Sequence, residues 1–265
     1  MTEFSTIGQT TAVCDVGMVR VSRTTHVRNT RLPVHSHSRM TLTAVLGGGY
    51  YESLGGGMTE LPSMSVVVKP AQTLHANQVD ARGAHCLLVE FSAESLQCAE
   101  LFPKPSFTIL ARGAEIILRT LVSLCKCDAQ QGPFELESLA IELATFAGLE
   151  TRSREVRPGI RLKRVVERLT DSPTGTPTLD DLAKEAGCHP MYLTRLFRKA
   201  YGESIGCYAR RIRIGNAARA IAENDRGSLS RIAQAAGYYD HSHLTHEFRS
   251  RTGITPRQWR GLLRS

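Results

Sequence analysis

The sequence predicts an α+β protein of two domains, with a β-rich N-terminal domain and an all-α C-terminal domain. The hydrophobic pattern changes near Ala111 from short β-type runs, separated by Gly and Pro, to helical spacing. The charge changes as well: residues 1–150 carry 11 basic and 14 acidic side chains, whereas residues 151–265 carry 22 and 11. The C-terminal part also repeats itself after about fifty residues. These observations place the domains at 1–150 and 159–265, with a linker at 151–158.

The composition excludes several classes of protein. The chain of 265 residues is 42% hydrophobic and 22% charged, which is typical of a globular protein with a packed core. No run approaches the ~20 apolar residues of a membrane span, and the N-terminus lacks the basic start and apolar segment of a secretion signal. The seven cysteines are odd in number and scattered, which argues against a disulfide framework. We therefore expect a cytoplasmic protein with no membrane partner.

The formal net charge of +8 lies entirely in the C-terminal part of the chain. A neutral or acidic domain joined to a strongly basic one suggests a polyanionic partner such as nucleic acid. The alternative is a solvated basic surface without a specific partner. Charge alone does not distinguish a polyanionic partner from a solvated basic surface, so the distinction must come from the sequence motifs.

Five short runs of the N-terminal domain have the composition of β-strands. They are Met18–Arg23, Leu42–Leu46, Ser65–Lys69, Leu74–Val79 and Cys86–Phe91. The triple glycines Gly47–Gly49 and Gly55–Gly57 predict loose turns around a hairpin segment, Tyr50–Leu54. Two helices follow, at Ala114–Cys125 and Phe134–Leu149, because each has an apolar stripe at helical spacing. The polar string TRSREVRPG at 151–159 has no such stripe and is predicted to be a linker.

The basic domain consists of two similar units, at about 179–201 and 229–252. In each unit a short helix containing an alanine (Ala183 or Ala233) precedes a glycine (Gly187 or Gly237) and a longer amphipathic helix. The small alanine lets the two helices approach closely, and the glycine can adopt the positive φ of the turn between them. This is the layout of a helix-turn-helix.

The longer helix of each unit has a start signal and a polar outer face. Pro190 suits the first helical position in the first unit, and Asp240 is a suitable cap in the second. The outward residues are Met191, Thr194, Arg195 and Arg198 in the first unit and His241, Ser242, His243 and His246 in the second. Such a face suits the major groove of DNA.

These strings resemble the C-terminal domain of AraC/XylS-type transcription regulators over roughly Gly159–Arg260. The second unit has that family's pattern of IAxxxG, an aromatic after the glycine, a central serine, FxxxxG and a closing TP…R. In the family one connecting helix, here about Ser204–Ala222, joins the two units, and Tyr208, Arg213 and Ala217 match its pattern. The resemblance implies a sequence-specific DNA-binding transcription regulator, most often an activator, rather than an enzyme. RNA polymerase is then a further partner.

The resemblance also implies that the two recognition helices enter successive major grooves of promoter DNA. By analogy the first, about Pro190–Tyr201, inserts Met191, Thr194 and Arg195, and Arg195 can pair with a guanine. The family usually has arginine where this chain has His246, so we expect the first unit to dominate base readout. A phosphate or solvent contact is the alternative role for His246. The candidates for phosphate contacts are Arg198, Arg210 and Arg249.

The N-terminal strings HSH at His35–His37 and PAQTLHAN at Pro70–Asn77 resemble the two motifs of a cupin barrel. In AraC-type regulators such a barrel senses a small-molecule effector, and the helices that follow it form a dimer. The resemblance therefore implies an effector-sensing and dimerisation domain at 1–150 and a homodimer. The apolar stripes of the two predicted helices also allow the alternative that they pack onto the barrel.

The chain departs from the cupin motifs at two points. The segment after His37, SRMTLTAVL, offers no carboxylate, and Gln72 takes the position of the second motif's glycine. His35, His37 and His75 are present, and three histidines can hold a metal such as Zn²⁺ with water as the fourth ligand. The alternative is that they line the barrel and contact an organic effector without metal. We predict no cofactor.

Cys125 and Cys127 form a CxC pair, which would suit a soft metal or a redox switch. Residues two apart on a helix point away from each other, however. We therefore expect two buried thiols that do not act together.

Three functions remain open at the level of sequence. The first is a ligand-responsive transcription regulator, and the second is a cupin enzyme fused to a DNA-binding module. The missing carboxylate after His37 and the lack of a nucleophile–base pair weigh against the enzyme. The third is a constitutive DNA-binding protein whose barrel only dimerises. A thermal-shift screen against candidate metabolites separates them, because a sensor is stabilised by its ligand whereas an enzyme also turns it over.

Overall fold

A computed structural model describes residues 8–53, 57–92, 106–109, 113–127, 133–155, 160–171, 177–224 and 226–264. Within these residues, eight strands form a single sheet and nine helices follow it. The predicted order of an N-terminal sheet before C-terminal helices is therefore confirmed. None of the described helices is long and apolar enough to cross a membrane.

All pairings in the N-terminal sheet are antiparallel. The strands are β1 (Gln9–Val16), β2 (Val19–His26), β3 (Arg31–His35), β4 (Met40–Ser53), β5 (Thr59–Leu61), β6 (Ser65–Lys69), β7 (His75–Phe91) and β8 (Ser106–Ile109). Their order is β1-β2-β7-β4-β6-β8, and β3 pairs with β7 while β5 pairs with β4. The described part of the sheet is an open path from β1 to β8, so the closed cupin barrel stays a prediction.

The triple glycine Gly47–Gly49 does not form the predicted turn, because it lies inside β4. The register of β4 against β7 shifts twice around this segment. Gly48 has a φ of +95°, and a Cβ atom there would lie 2.1 Å from the carbonyl oxygen of Gly83 on β7. The glycines thus allow a bulged strand to approach its neighbour closely. The second triple glycine lies largely outside the described residues.

The prediction of two separate strands at Leu74–Val79 and Cys86–Phe91 is also wrong. Both belong to the single strand β7, which continues through Gly83 with a φ of +71°. A glycine inside a strand reads in sequence like the end of one, because glycine is typical of turns. The run at Ser65–Lys69 is confirmed as β6.

The helices occupy most of the chain after the sheet. They are α1 (Ala114–Lys126), α2 (Pro133–Glu155), α3 (Ile160–Asp171), α4 (Leu179–Ala186), α5 (Pro190–Tyr201), α6 (Ile205–Glu223), α7 (Leu229–Ala235), α8 (His241–Thr252) and α9 (Pro256–Leu262). Helix α2 extends beyond the predicted Leu149 to Glu155, into the predicted linker. Its last turn contains neither Gly nor Pro, and the first helix-breaking residue after it is Pro158.

The two helix-turn-helix units have the predicted turn chemistry. They are α4–α5 and α7–α8, and α6 connects them. Gly187 and Gly237 adopt φ values of +61° and +82° in the two turns. Pro190 is the first residue of α5, and the Asp240 carboxylate accepts a hydrogen bond from the backbone N–H of His243 at 2.7 Å.

Among the described residues, the largest hydrophobic core joins the N-terminal sheet to the second helix-turn-helix unit. It combines side chains from the sheet, α1 and α2 with those of α7–α9 and the C-terminal part of α6. Phe91, Ile116, Phe248 and Trp259 are among its most deeply buried members. A separate core holds the first unit together, from α3 to the N-terminal part of α6. The second unit is thus docked on the N-terminal sheet, whereas the first has a core of its own.

Helix α1 uses its apolar stripe inside the chain. Ile116, Ile117 and Leu121 are all fully buried between the sheet, α2 and the second unit. On α2, Phe134 is 82% exposed and Ile141 is 40% exposed. The alternative of intramolecular packing therefore accounts for the stripe of α1, and the homodimer stays a prediction.

Polar contacts also cross the junction between the sheet domain and the second unit. Arg251 on α8 donates a hydrogen bond from Nη1 to Glu115 Oε2 on α1 at 3.1 Å. Arg219 on α6 donates from Nε to the carbonyl of Ser63 at 3.2 Å, and the buried Arg23 on β2 donates to the carbonyl of Leu262. Directional bonds of this kind hold the second unit in one orientation on the sheet.

Candidate nucleic-acid interface and interior histidine site

The first recognition helix, α5, is held by its inner face and presents its outer face to solvent. Leu193 and Phe197 are fully buried in the core of the first unit. The start of the helix is fixed by His189, whose Nδ1 accepts a hydrogen bond from the backbone N–H of Met191 at 3.2 Å. Histidine is not among the usual capping residues, so sequence patterns did not indicate this role.

Three of the four α5 residues predicted to contact DNA are exposed. These are Met191, Arg195 and Arg198, whereas Thr194 is half-buried and its hydroxyl donates to the carbonyl of Pro190 at 3.0 Å. The structure adds Tyr192 and Lys199, which are exposed on the same helix and were not singled out from the sequence. A cation, an aromatic ring and a thioether on one face can contact both base edges and the T methyl group.

The second recognition helix, α8, is also exposed on its outer side, although its inner side packs in the core shared with the N-terminal sheet. Leu244 and Phe248 are fully buried in the large core. His241, Ser242, His243, His246 and Arg249 are all exposed. An open surface groove of about 680 Å³ lies along this helix. It is lined by His241, Ser242, Thr245, His246, Arg249 and Ser250. Thr245 and Ser250 are the two that sequence reasoning missed.

A row of charged side chains connects α8 to α1. Glu115 on α1 contacts Arg251 at 3.1 Å, and Arg251 lies 3.8 Å from Glu247. The other carboxylate oxygen of Glu247 is 3.8 Å from His243 Nε2. His243 therefore lies at one end of a chain of contacts that begins on a helix packed against the N-terminal sheet.

The candidate phosphate contacts lie on three different helices. Arg198, Arg210 and Arg249 are all exposed, on α5, α6 and α8 respectively. Arginines spread over both units and the helix between them can contact the backbone of one duplex at several points. These positions remain predictions.

A second candidate site is a small cavity inside the N-terminal sheet. Its volume is about 30 Å³, and its lining comes from β2, β3, β4, β6 and β7 and the segment after β3. The polar lining residues are Thr24, His26, His35, His37, Thr43, Tyr50, Lys69, His75 and Asn77. A space of this size holds one or two water molecules.

The structure brings the three predicted histidines together. The ligand atoms of His35, His37 and His75 all lie within 4.8 Å of one another. Nδ1 of His35 is 2.8 Å from the carbonyl of Pro33, and Nδ1 of His75 is 2.9 Å from the carbonyl of Thr73. Since a carbonyl only accepts, each Nδ1 carries a proton.

Gln72 fills the place of the cupin glycine at the cost of an unusual backbone conformation. It has a left-handed φ of +63°, which a glycine adopts more readily. Its backbone N–H donates to the carbonyl of His37 at 2.8 Å. This hydrogen bond joins the two histidine segments.

A carboxylate does lie beside the histidines, but it comes from the far end of β4. Glu52 and Lys69 form a buried ion pair, with Nζ and Oε1 2.7 Å apart and side-chain exposures of 1% and 3%. The same Oε1 atom is 3.9 Å from His75 Nε2. No carboxylate occurs just after His37, as the sequence indicates, and spacing rules could not have found Glu52.

The interior lowers the pKa of its histidines. Burial lowers the pKa of His26 to about 4, with repulsion from His85 as a smaller cause. Burial also lowers the pKa of His37 and of His75 to about 4, and the positive charge of Lys69 adds to the effect. All three side chains are therefore neutral at pH 7.

We expect the metal-free protein to lose stability as the pH falls from 7 to 5. Unfolded histidine has a pKa near ~6.5, so below that pH the unfolded chain binds protons that folded His26, His37 and His75 do not. Stability is complete above pH ~6.5 and declines toward pH 4, by at most about 1.4 kcal/mol per pH unit for each proton. Urea titrations at several pH values measure this slope. Equal stability at pH 7 and 5 would contradict the expectation.

The expectation of two buried thiols at Cys125 and Cys127 is wrong in part. Cys125 is exposed near the end of α1, and Cys127 is the half-buried residue that ends the helix. Cys14 on β1 contacts Cys127 instead, and burial together with that contact raises the pKa of Cys14 to about 11. The CxC pair thus does not point into one site.

Comparison with known proteins supports the interpretation of the C-terminal part as a helix-turn-helix domain. The helix-turn-helix domain family matches residues 182–261. The transcriptional activator RhaR of Escherichia coli K12 is 32% identical over 101 residues, which are 38% of this chain and 36% of RhaR. RhaR of Shigella flexneri serotype 5b matches to the same extent. The chain therefore aligns with about a third of the length of these curated relatives.

Two solved structures can also be aligned with the chain. An AraC-type regulator from Chromobacterium violaceum covers 39% of this chain and 91% of its own, with 25% identity and a TM-score of 0.35. ToxT from Vibrio cholerae O395 covers 93% of this chain and 98% of its own, with 12% identity and a TM-score of 0.38.

The matched family and the curated relatives are regulators of transcription and not enzymes. The match covers both helix-turn-helix units and the helix that connects them. Residues 182–261 therefore form a helix-turn-helix domain.

Proposed function

We propose that the protein is a sequence-specific DNA-binding transcription regulator, and an activator, that inserts α5 and α8 into successive major grooves of promoter DNA. One observation carries the proposal. Both recognition helices have buried inner faces and exposed polar outer faces, although the second unit shares a core with the N-terminal sheet and the described residues of the first unit form a separate core. The name of the RhaR relatives, transcriptional activator, supports the direction of regulation.

Base readout is divided unequally between the two helices. Arg195 on α5 can donate two hydrogen bonds to the O6 and N7 atoms of a guanine. His246 on α8 offers at most one such bond at a time through a single ring N–H. We therefore assign most of the sequence discrimination to α5 and a positioning role to α8.

The direct test replaces each of these side chains and measures binding to a duplex selected from random-sequence DNA. We expect Arg195→Ala to weaken specific binding by roughly tenfold to a hundredfold and to relax the preference at one base pair. His246→Ala should have a smaller effect. Arg31→Ala, an exposed arginine on β3, is the control that leaves binding unchanged. Equal losses at Arg195 and His246 would contradict the ranking, and no loss at either would contradict the proposal.

Salt dependence tests the phosphate contacts separately. The logarithm of the binding constant should fall linearly with the logarithm of salt concentration, with a slope of about −0.9 for each phosphate neutralised. Arg198→Ala should reduce the magnitude of this slope by about one without changing the preferred sequence. Affinity that stays constant from low to physiological salt would be incompatible with several arginine–phosphate contacts.

Response to an effector is part of the proposal, because the N-terminal sheet and α8 are physically linked. Helix α1 packs on the sheet and contacts α8 through the ion pair between Glu115 and Arg251. Arg251 in turn lies beside Glu247, which contacts the exposed His243. A shift of α1 on the sheet therefore changes the position of the second recognition helix.

The remaining partners rest on the family resemblance. They are promoter double-stranded DNA, a small-molecule effector, RNA polymerase and a second copy of the chain. The division into domains at 1–150 and 159–265 and the cytoplasmic location stay predictions. Measurement of the mass of the protein in solution, with and without selected DNA, tests the homodimer.

A further inference from the structure

Two of the chain's thiols meet where β1 lies against α1. Cys14 is on β1, the terminal strand of the described sheet, and Cys127 is the residue that ends α1. The Cys14 S–H donates a hydrogen bond to the sulfur of Cys127. Both side chains pack against the large core, and both are half-buried. The two sulfur atoms are therefore in contact at a place that a small solute can reach.

The local structure of β1 and of α1 directs both side chains into this contact. Along β1, Ala12, Cys14 and Val16 are more buried than the exposed residues between them, so they share the face that packs against the helices. Helix α1 ends at Cys127, whose backbone N–H donates to the carbonyl of Leu124 at 3.2 Å. The last turn of α1 thus brings the thiol of Cys127 to β1.

The two thiols have different roles in an oxidation. Burial, together with the contact with Cys127, raises the pKa of Cys14 to about 11. Cys14 therefore keeps its proton at pH 7 and stays the hydrogen-bond donor. Because oxidants react with the thiolate and not with the thiol, Cys127 is the sulfur that reacts first, and Cys14 is the one that reacts second.

We propose that Cys14 and Cys127 are a reversible redox site, which a peroxide converts into a disulfide. The sulfur of Cys127 attacks one oxygen of hydrogen peroxide, the O–O bond breaks, and a sulfenic acid forms with loss of hydroxide. The sulfur of Cys14 then attacks the sulfur of the sulfenic acid, and the S–O bond breaks. The proton of Cys14 leaves with the departing hydroxide as water. Overall, two thiols are oxidised to a disulfide and hydrogen peroxide is reduced to two molecules of water.

Cys125 lies on the same turn of α1, but the structure places it outside the contact. It is exposed, whereas Cys14 and Cys127 are half-buried. Residues two positions apart on a helix do not face each other, and the sulfur of Cys127 is in contact with β1. Cys125 is therefore a matched control, because it is a more accessible thiol of the same helix that the proposed disulfide does not use.

The disulfide would fix the end of α1 to the sheet. It closes a long loop, between residues 14 and 127, and a cross-link of this kind stabilises the folded chain. The same helix carries Glu115, which contacts Arg251 of α8 at 3.1 Å. Oxidation thus changes how firmly the support of the second recognition helix is held. This effect on DNA binding rests on the proposed function, whereas the disulfide itself does not.

The test treats the reduced full-length protein with hydrogen peroxide and maps its disulfides by digestion with trypsin without reduction. Trypsin cleaves after Lys126, which separates Cys125 from Cys127, and Cys14 lies on a third peptide. We expect one linked peptide that contains Cys14 and Cys127, and dithiothreitol should separate it again. Thermal unfolding is a second readout, because the oxidised protein should unfold at a temperature higher by roughly 5–15 °C.

Serine variants show which thiols take part. Cys14→Ser and Cys127→Ser should each abolish the linked peptide and the rise in unfolding temperature, whereas Cys125→Ser should leave both unchanged. Circular dichroism verifies that each variant is folded. In Cys14→Ser the oxidation should stop at a sulfenic acid on Cys127, which labelling with dimedone detects. Cys127→Ser should give no such label on Cys14.

A linked peptide that contains Cys125 would overturn the proposal, and so would a wild-type protein without a disulfide after peroxide treatment. Binding to selected DNA is measured for the reduced and the oxidised protein, and we expect a change of about fivefold or more, the usual lower range of coupling between sites. The change should be absent in Cys14→Ser. A disulfide with unchanged DNA affinity rejects only the link to α8. A disulfide without DNA binding in either form rejects the proposed function.

Discussion

We expect Lys69→Met to lower the free energy of unfolding by about 3–5 kcal/mol, because it leaves the Glu52 carboxylate buried without its partner. The two side chains are 3% and 1% exposed, and 2.7 Å separates Nζ from Oε1. The hydroxyl of Thr43, 3.4 Å from Nζ in the wild type, does not replace a cation. Urea titration followed by circular dichroism measures the loss.

The double variant Lys69→Met/Glu52→Leu is the control. It removes both charges and fills the space with apolar groups of similar volume, so we expect a stability near that of the wild type or above it by about 1–4 kcal/mol. A double variant as unstable as Lys69→Met would show that packing, and not the unpaired charge, causes the loss. A stable Lys69→Met protein would show that Glu52 finds another partner or becomes neutral at little cost.

The second large effect is expected at Trp259. This side chain is fully buried in the core that the sheet shares with the second helix-turn-helix unit. Its Nε1–H donates to the carbonyl of Ala218 at 3.1 Å. Trp259→Ala should therefore lower the free energy of unfolding by about 3–5 kcal/mol, the usual cost of truncating a buried aromatic ring. Denaturation followed by circular dichroism measures this.

Tyr239→Ala is the matched control, because Tyr239 is an aromatic residue of the same unit that is 88% exposed. Its removal should change stability by less than about 0.5 kcal/mol. Trp259 is also the chain's single tryptophan, so its fluorescence reports the unfolding of the core around it in the wild-type protein. Similar losses in the two variants would mean that Trp259 is not buried in solution.

The helix-turn-helix units could be predicted from the sequence because their signals are local. Each signal determines the conformation of only a few neighbouring residues. The signals are Pro190, Asp240 and the glycines of the two turns, and all have the predicted conformations. The same local reasoning failed at Gly47–Gly49, where a glycine allows a bulge inside a long strand. The choice between a turn and a bulge depends on β7, a strand far away in the sequence.

The interior site was predicted only in part, because some of its residues are close in sequence and others meet through long-range strand pairing. The histidine strings were visible as motifs, but Glu52 and Lys69 meet only through the pairing of β4 with β6 and β7. Sheet register over such distances is not encoded in any short pattern. The docking of the second unit was missed as well, because the apolar stripe of α1 suits a dimer contact as well as a contact within the chain.

The shared core has a consequence for protein engineering. Regulators with separable modules are often recombined by joining the sensor of one to the DNA-binding part of another. Here such a chimera would place foreign side chains in the core that the sheet and α1 share with the second unit, which now includes Phe248 and Trp259. A graft that replaced only α3, α4 and α5 would leave that surface intact, since these helices belong to the other core. The transferable module of this protein is thus the first helix-turn-helix unit, which is smaller than the domain that the sequence defines.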